Sequence, residues 1–187
     1  MKANDIILRI IQLRPSLTTF HVAKLAYLFD LACVQLFGEP RSGIHYKWWH
    51  YGPYGEDIDR AIGDLENKGK IKVEDYTTMK MRNSRLHSAV SSRKPKLTSD
   101  EEQLIEHVVK RFGFMTTAEL KNFVYSTPPM IDAQKKHAKY DSLNLYYRGD
   151  VPDAFFNTET VRALLGRERK SSLKYVSAEE VLAKIGA

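Results

Sequence analysis

Residues 21–76 limit the folds open to this chain more than any other stretch. They read, in order, as an apolar helix, an aromatic extended segment, a Gly52-Pro53-Tyr54-Gly55 turn, a second helix and the first strand of a basic hairpin. In the first helix Val22, Leu25, Ala26, Phe29, Ala32, Cys33, Leu36 and Phe37 keep the i, i+3, i+4, i+7 spacing for about four turns. Thr18 or Thr19 is placed to start it, and Gly38 to close it. Residues 44–51, IHYKWWHY, are rich in aromatic strand formers. Alternation fails at Trp48-Trp49, so one of the two indoles must turn away from the core or into a groove. Residues 57–68 put Ile58, Ala61, Ile62 and Leu65 on one helical face. Acids at their start favour the positive end of the helix dipole. After Gly69, Ile71 and Val73 alternate with Lys72 and Glu74, and residues 86–90 supply the returning strand.

The flanks are more helical. An earlier helix carries Ile6, Ile7, Ile10, Ile11 and Leu13, and stops at Arg14-Pro15 because the residue before proline avoids the α region. Residues 91–96 form a polar joint. Beyond it, Thr98 with Glu101, Ser99 with Glu102, and Thr116 with Glu119 all have capping-box spacing. Two helices follow, one through Leu104, Ile105, Val108, Val109 and Phe112, the other through Leu120, Phe123 and Val124. Pro128-Pro129 is expected to end the second. A polar helix over 131–139, a loop over 141–156, a short helix over 158–165 and a last one over 178–185 complete the reading. The expected class is mainly α with a small antiparallel β-hairpin. A winged-helix-like first half, residues 1–96, would pack on a helical second half, residues 97–187, in a single domain.

With 43% hydrophobic and 28% charged residues the chain can bury a core and does not read as disordered. Its uninterrupted apolar runs stop well short of the ~20 residues of a membrane span. The start of the sequence lacks the pattern of a secretory leader, so a cytoplasmic location and no membrane partner are expected. Cys33, the single cysteine, sits on an apolar stripe and is expected to be a buried small hydrophobe. The net charge of +6 is concentrated. Nine Lys or Arg stand against Glu74 and Asp75 between positions 68 and 96, a local +7. Lys72, Lys80, Arg82, Arg85, Arg93 and Lys94 form a candidate basic patch. It suits nucleic acid or an acidic protein, or equally a solvated hairpin face.

Catalytic chemistry finds little support. The histidines at 21, 45, 50, 87, 107 and 137 include no i, i+4 pair, and no second cysteine could complete a zinc site. Gly-x-Ser-x-Gly is absent, and no Gly-Lys-Ser/Thr follows the Gly52–Gly55 turn. Asp57/Asp59 and Glu101/Glu102 fall on first turns of helices, where the dipole accounts for them. The expectation is no catalytic residue, no metal and no cofactor. The aromatic cluster is the stronger lead. Trp48, Trp49, Tyr51, Gly52, Pro53 and Tyr54 either fill the gap between helix and hairpin or expose an anchor for a protein partner, since Trp and Tyr are enriched at binding hot spots.

Several of these segments resemble one family. Lys24-Leu25-Ala26-Tyr27-Leu28-Phe29-Asp30 is similar to the Lys-Leu-x-Tyr-Leu-x-Asp helix of Panacea-domain proteins, the SocA-like antitoxins and their phage-associated relatives. Tyr46, Tyr51-Gly52-Pro53-Tyr54, Asp57-Ile58, Leu65 and Gly69-Lys70-Ile71 resemble the family's Tyr, Gly-Pro, helix, Gly-x-Ile signature. Leu97-Thr98, Glu101, Ile105, Val108, Phe112-Gly113, Thr117, Leu120, Val124-Tyr125 and Pro128-Pro129 resemble its second-half pattern. The likeness covers roughly residues 20–130. A tryptophan that the family often carries after the second-half helix is missing, and residues beyond Ala133 match nothing recognisable. The resemblance implies a non-enzymatic antitoxin that neutralises a cognate toxin by direct binding, with some members delivering the toxin to a protease. The alternative is a winged-helix DNA-binding regulator, autoregulating its operon, with residues 57–68 as recognition helix. The five acids at 56, 57, 59, 64 and 66 weaken it, because major-groove helices present Arg, Lys, Asn or Gln. The toxin's identity and the oligomeric state are not written in the sequence.

Overall fold

The computed structural model describes residues 2–76 and 84–146. Within them lie six helices and two small antiparallel sheets. Helix α1 (Lys2–Leu13) buries Ile6, Ile7, Ile10 and Ile11. The chain then turns through Ser16 into a two-residue strand, β1 (Leu17–Thr18). Thr18 acts twice. It stands opposite Leu86 in the sheet, and its hydroxyl accepts the His21 N–H that caps α2 (Thr19–Phe37). A strand this short has no pattern to read, and the sequence offered none.

Two elements after α2 differ from expectation. The aromatic segment contributes only β2 (Lys47–Trp49), and Gly52-Pro53-Tyr54 is not a turn but the second strand, β3 (Gly52–Tyr54). The turn lies earlier, at His50-Tyr51, so that Trp48 faces Pro53 across the hairpin. A hairpin this small has only edge strands, where a proline without an N–H is tolerated. The other edge of β2 is covered: Trp48 N–H donates to the Asp141 carbonyl (3.0 Å) and Tyr140 N–H to the Trp48 carbonyl (2.8 Å). The expected loop beyond residue 141 therefore begins as a cover for that strand.

Helix α3 (Glu56–Asn67) buries Asp57, Ile58, Ala61, Ile62 and Leu65 and leads into β4 (Ile71–Tyr76). Strand β5 (Ser84–Ala89) returns antiparallel and joins β1, giving the sheet order β1-β5-β4. The second half holds α4 (Ser99–Phe112), α5 (Thr117–Tyr125) and α6 (Pro128–Lys135). Capping boxes form at Thr98/Glu101 and Thr116/Glu119. Pro128 and Pro129 do not merely follow α5; they open α6, where a missing N–H costs nothing because the first helical amides lack partners anyway. The expected helices over 158–165 and 178–185 lie outside the described residues.

Helix α2 is the axis of the core. Residues 22–33 are buried without a break, and α1, α4, α5, β1, β3 and β5 all touch the helix. A helix buried all round is apolar all round. That is why α2 is long and apolar enough to cross a membrane by composition, although packing inside the protein accounts for it here. Side chains from Ala3 to Leu145 join one hydrophobic cluster, and Cys33 is buried in it.

Candidate functional site: the aromatic hairpin face

Three polar residues interrupt the apolar surface of α2 at three-residue intervals, and all are buried: Lys24, Tyr27 and Asp30. Each reaches a different part of the molecule. Lys24 Nζ donates to the Pro53 carbonyl of β3 at 2.7 Å. The Tyr27 hydroxyl lies 2.8 Å from Thr127 Oγ1, at the cap of α6. Asp30 accepts the backbone N–H groups of Arg41 and Ser42 (2.8 Å each), the Ser42 hydroxyl and the Tyr46 hydroxyl (2.9 Å). Burial pushes the Asp30 carboxyl above the usual range against the pull of these donors, and lowers the Lys24 ammonium to about 7. The three side chains fasten the hairpin, the 41–46 loop and the second half to one helix. Charged residues inside an otherwise apolar helix were the visible sign of this, since such residues are buried only with partners.

The hairpin so fixed divides its aromatic residues. Trp48 faces inward, with Nε1 donating to the Tyr125 hydroxyl (3.1 Å) and the two rings edge to face. Gly52 and Pro53 are buried. Gly52 has φ +101, and a β-carbon there would meet the Tyr125 ring at 3.1 Å, so glycine is required for conformation and for space. At Gly55 a β-carbon would fall 2.5 Å from the His45 carbonyl. Trp49 and Tyr51 point outward, 37% and 65% exposed, and Tyr54 is half-buried. Trp49 packs edge to face against His50 and Tyr140, which stiffens the exposed ring. Of the six aromatic-segment candidates, then, Trp48, Gly52 and Pro53 hold the hairpin, while Trp49, Tyr51 and Tyr54 face a groove.

That groove has a volume of about 430 Å³ and lies between the start of α2, the hairpin and the first turn of α3. Phe20, Lys24, Lys47, Glu56 and Asp59 share its walls with the aromatics. Lys47 Nζ sits 2.6 Å from Glu56 Oε1 and 5.0 Å from the Trp49 ring centre. The Tyr54 hydroxyl donates to Asp59. Pattern reading did not find Phe20, Glu56 or Asp59 as part of a site, because their convergence depends on the turn at His50-Tyr51.

The basic candidates lie elsewhere. Lys72 pairs with Glu74 (2.5 Å), Arg85 with Asp75 (3.8 Å) and Lys94 with Glu102 (3.1 Å). Arg93 is exposed, and its backbone N–H donates to Ser91 Oγ. Lys80 and Arg82 lie outside the described residues. Exposed pairs of this kind are weak, but they lower the local positive field. Among the described residues no group of three or more His, Cys, Asp or Glu converges as metal ligands would.

The family model described as antitoxin SocA-like, Panacea domain, matches residues 22–129. No curated protein and no solved structure was found to match the chain significantly.

Proposed function

This chain belongs to the antitoxin SocA-like, Panacea-domain family, and from that premise we propose that it neutralises a protein toxin by binding it through the exposed side of the β2–β3 hairpin. The observation that carries the reading is the pair Trp49 and Tyr51. Tyr51 is 65% exposed and Trp49, packed against His50 and Tyr140, is 37% exposed, on a hairpin held from behind by Lys24, Trp48 and the 140–143 segment. Large rigid aromatics on a fixed support lose little entropy on docking and are the usual anchors of an interface. Neutralisation by occlusion asks for a non-enzymatic protein, in keeping with the family. The helix order α1, β1, α2, α3, β4, β5 is read as winged-helix-like, with β2–β3 inserted before the third helix.

A DNA-binding role draws less support. Glu56, Asp59 and Glu66 are exposed on α3, where carboxylates would face phosphate. Co-expression of the full chain with the product of the neighbouring gene tests the proposal. The expected result is a complex that survives purification and restores growth. A chain that neither binds nor rescues contradicts it. A toxin whose half-life shortens in the complex would add the proteolytic-adaptor role to binding.

A further inference from the structure

We propose that the groove beside the hairpin receives an arginine-bearing segment of the protein partner; this rests on reading the same face as the antitoxin's contact surface. The walls supply both things a guanidinium seeks. Phe20, Trp49, Tyr51 and Tyr54 offer aromatic faces, and Glu56 and Asp59 offer carboxylates at one rim. A planar guanidinium stacks on the first and forks onto the second, which a compact ammonium does less well. The volume of about 430 Å³ falls at the small end of binding pockets, the scale of a few side chains.

The protein already demonstrates the chemistry with a residue of its own. The Lys47 ammonium lies between the Trp49 ring and the Glu56 carboxylate, at 5.0 and 2.6 Å. Glu56 is thereby matched, but Asp59 is not. Its carboxylate accepts the Tyr54 hydroxyl, and among the described residues no cation pairs with it. Arg60 on α3 and Lys68 just past its end turn instead to Asp57 (2.9 Å) and Asp64 (4.0 Å). Lys24 limits the depth of entry. Its ammonium lies at the inner wall, directed at the Pro53 carbonyl and 4.9 Å from the Phe20 ring centre. That leaves Asp59 and the Tyr54 and Tyr51 rings for a second cation, with Lys121 already 6.0 Å from the Tyr51 ring centre. An acidic segment would meet two carboxylates there and find Lys47 already neutralised.

The net charge of the whole chain, +6, repels a polycation. Binding of one must come from a local site, which makes a simple probe informative. Fluorescein-labelled hexa-arginine and hexa-glutamate peptides are titrated against the full chain by anisotropy, at low and at raised salt. Hexa-arginine should bind, more weakly as salt rises, and hexa-glutamate should not. Asp59→Lys and Tyr51→Ala should each weaken hexa-arginine about tenfold or more. Asp59→Asn, which keeps an acceptor for Tyr54, should fall between them and the parent chain. Glu39→Lys makes the same charge reversal past the far end of α2, about 28 Å along the helix, and should change nothing. Tighter binding of hexa-glutamate, salt-insensitive binding, or hexa-arginine affinity indifferent to both Asp59 variants overturns the proposal. Toxin rescue that survives Asp59→Lys sinks the groove but spares the antitoxin reading. Hexa-arginine binding with the expected variant pattern, in a chain that cannot rescue, does the reverse.

Discussion

Asp30 and Lys24 show what single residues contribute here. Asp30 gathers four donors from the 41–46 loop and is fully buried. Asp30→Ala leaves those donors without an acceptor, and urea unfolding should record a loss of about 3–5 kcal/mol. Lys24 acts in the opposite sense on stability. Its folded pKa of about 7 lies below the ordinary 10.5. Between those values the unfolded chain holds a proton that the folded chain has released. Stability should therefore rise with pH across that window and level off below about 7, where both states are protonated. In Lys24→Met, melting temperatures followed from pH 7 to 10 should lose that rise. If the parent chain and Lys24→Met gave parallel curves of melting temperature against pH, the assignment would be refuted. Both residues were visible in the sequence as charges in an apolar helix. What they bind was not, because Pro53 and Ser42 come near only after the chain has folded back.

Elements with local signals were legible, and elements set by tertiary partners were not. The helices α2, α4 and α5 carry their own start signals in Thr18, Thr98 and Thr116, and the structure uses each of them. Thr98→Ala removes one half of a capping box whose Glu101 is buried against Lys2. It should destabilise by about 1 kcal/mol in thermal or urea unfolding, whereas Thr98→Ser should be nearly neutral. The hairpin was misplaced because Gly52-Pro53 reads as a turn by composition. Its register comes instead from Trp48 docking on Tyr125 and from the backbone of residues 140–143 lying along β2. Strand β1 escaped notice for the same reason, since pairing with β5 defines it rather than any pattern of its own.

At the scale of the molecule, α2 joins the β2–β3 hairpin to the second half of the chain. Tyr27 links it to Thr127 near the start of α6, across the boundary between the two halves. Tyr27→Phe keeps the ring and removes the hydroxyl, leaving Thr127 with its bond to the Val124 carbonyl. The expected cost is about 1 kcal/mol, with one cooperative unfolding transition retained. The class of fold followed from the periodicity of residues 21–76, and the family from the order of its segments. The groove did not, because it is assembled from the starts of α2 and α3 and the outward side of the hairpin. The claim that this face neutralises a toxin is tested most directly by calorimetric titration of the purified full chain with the neighbouring gene's product, for the parent and for Trp49→Ala/Tyr51→Ala. Because Trp49 also packs against His50 and Tyr140, a melting curve first establishes that the double variant is folded. That variant should bind about a hundredfold or more weakly, the scale of an interface hot spot. Equal affinity of the two chains would contradict the account.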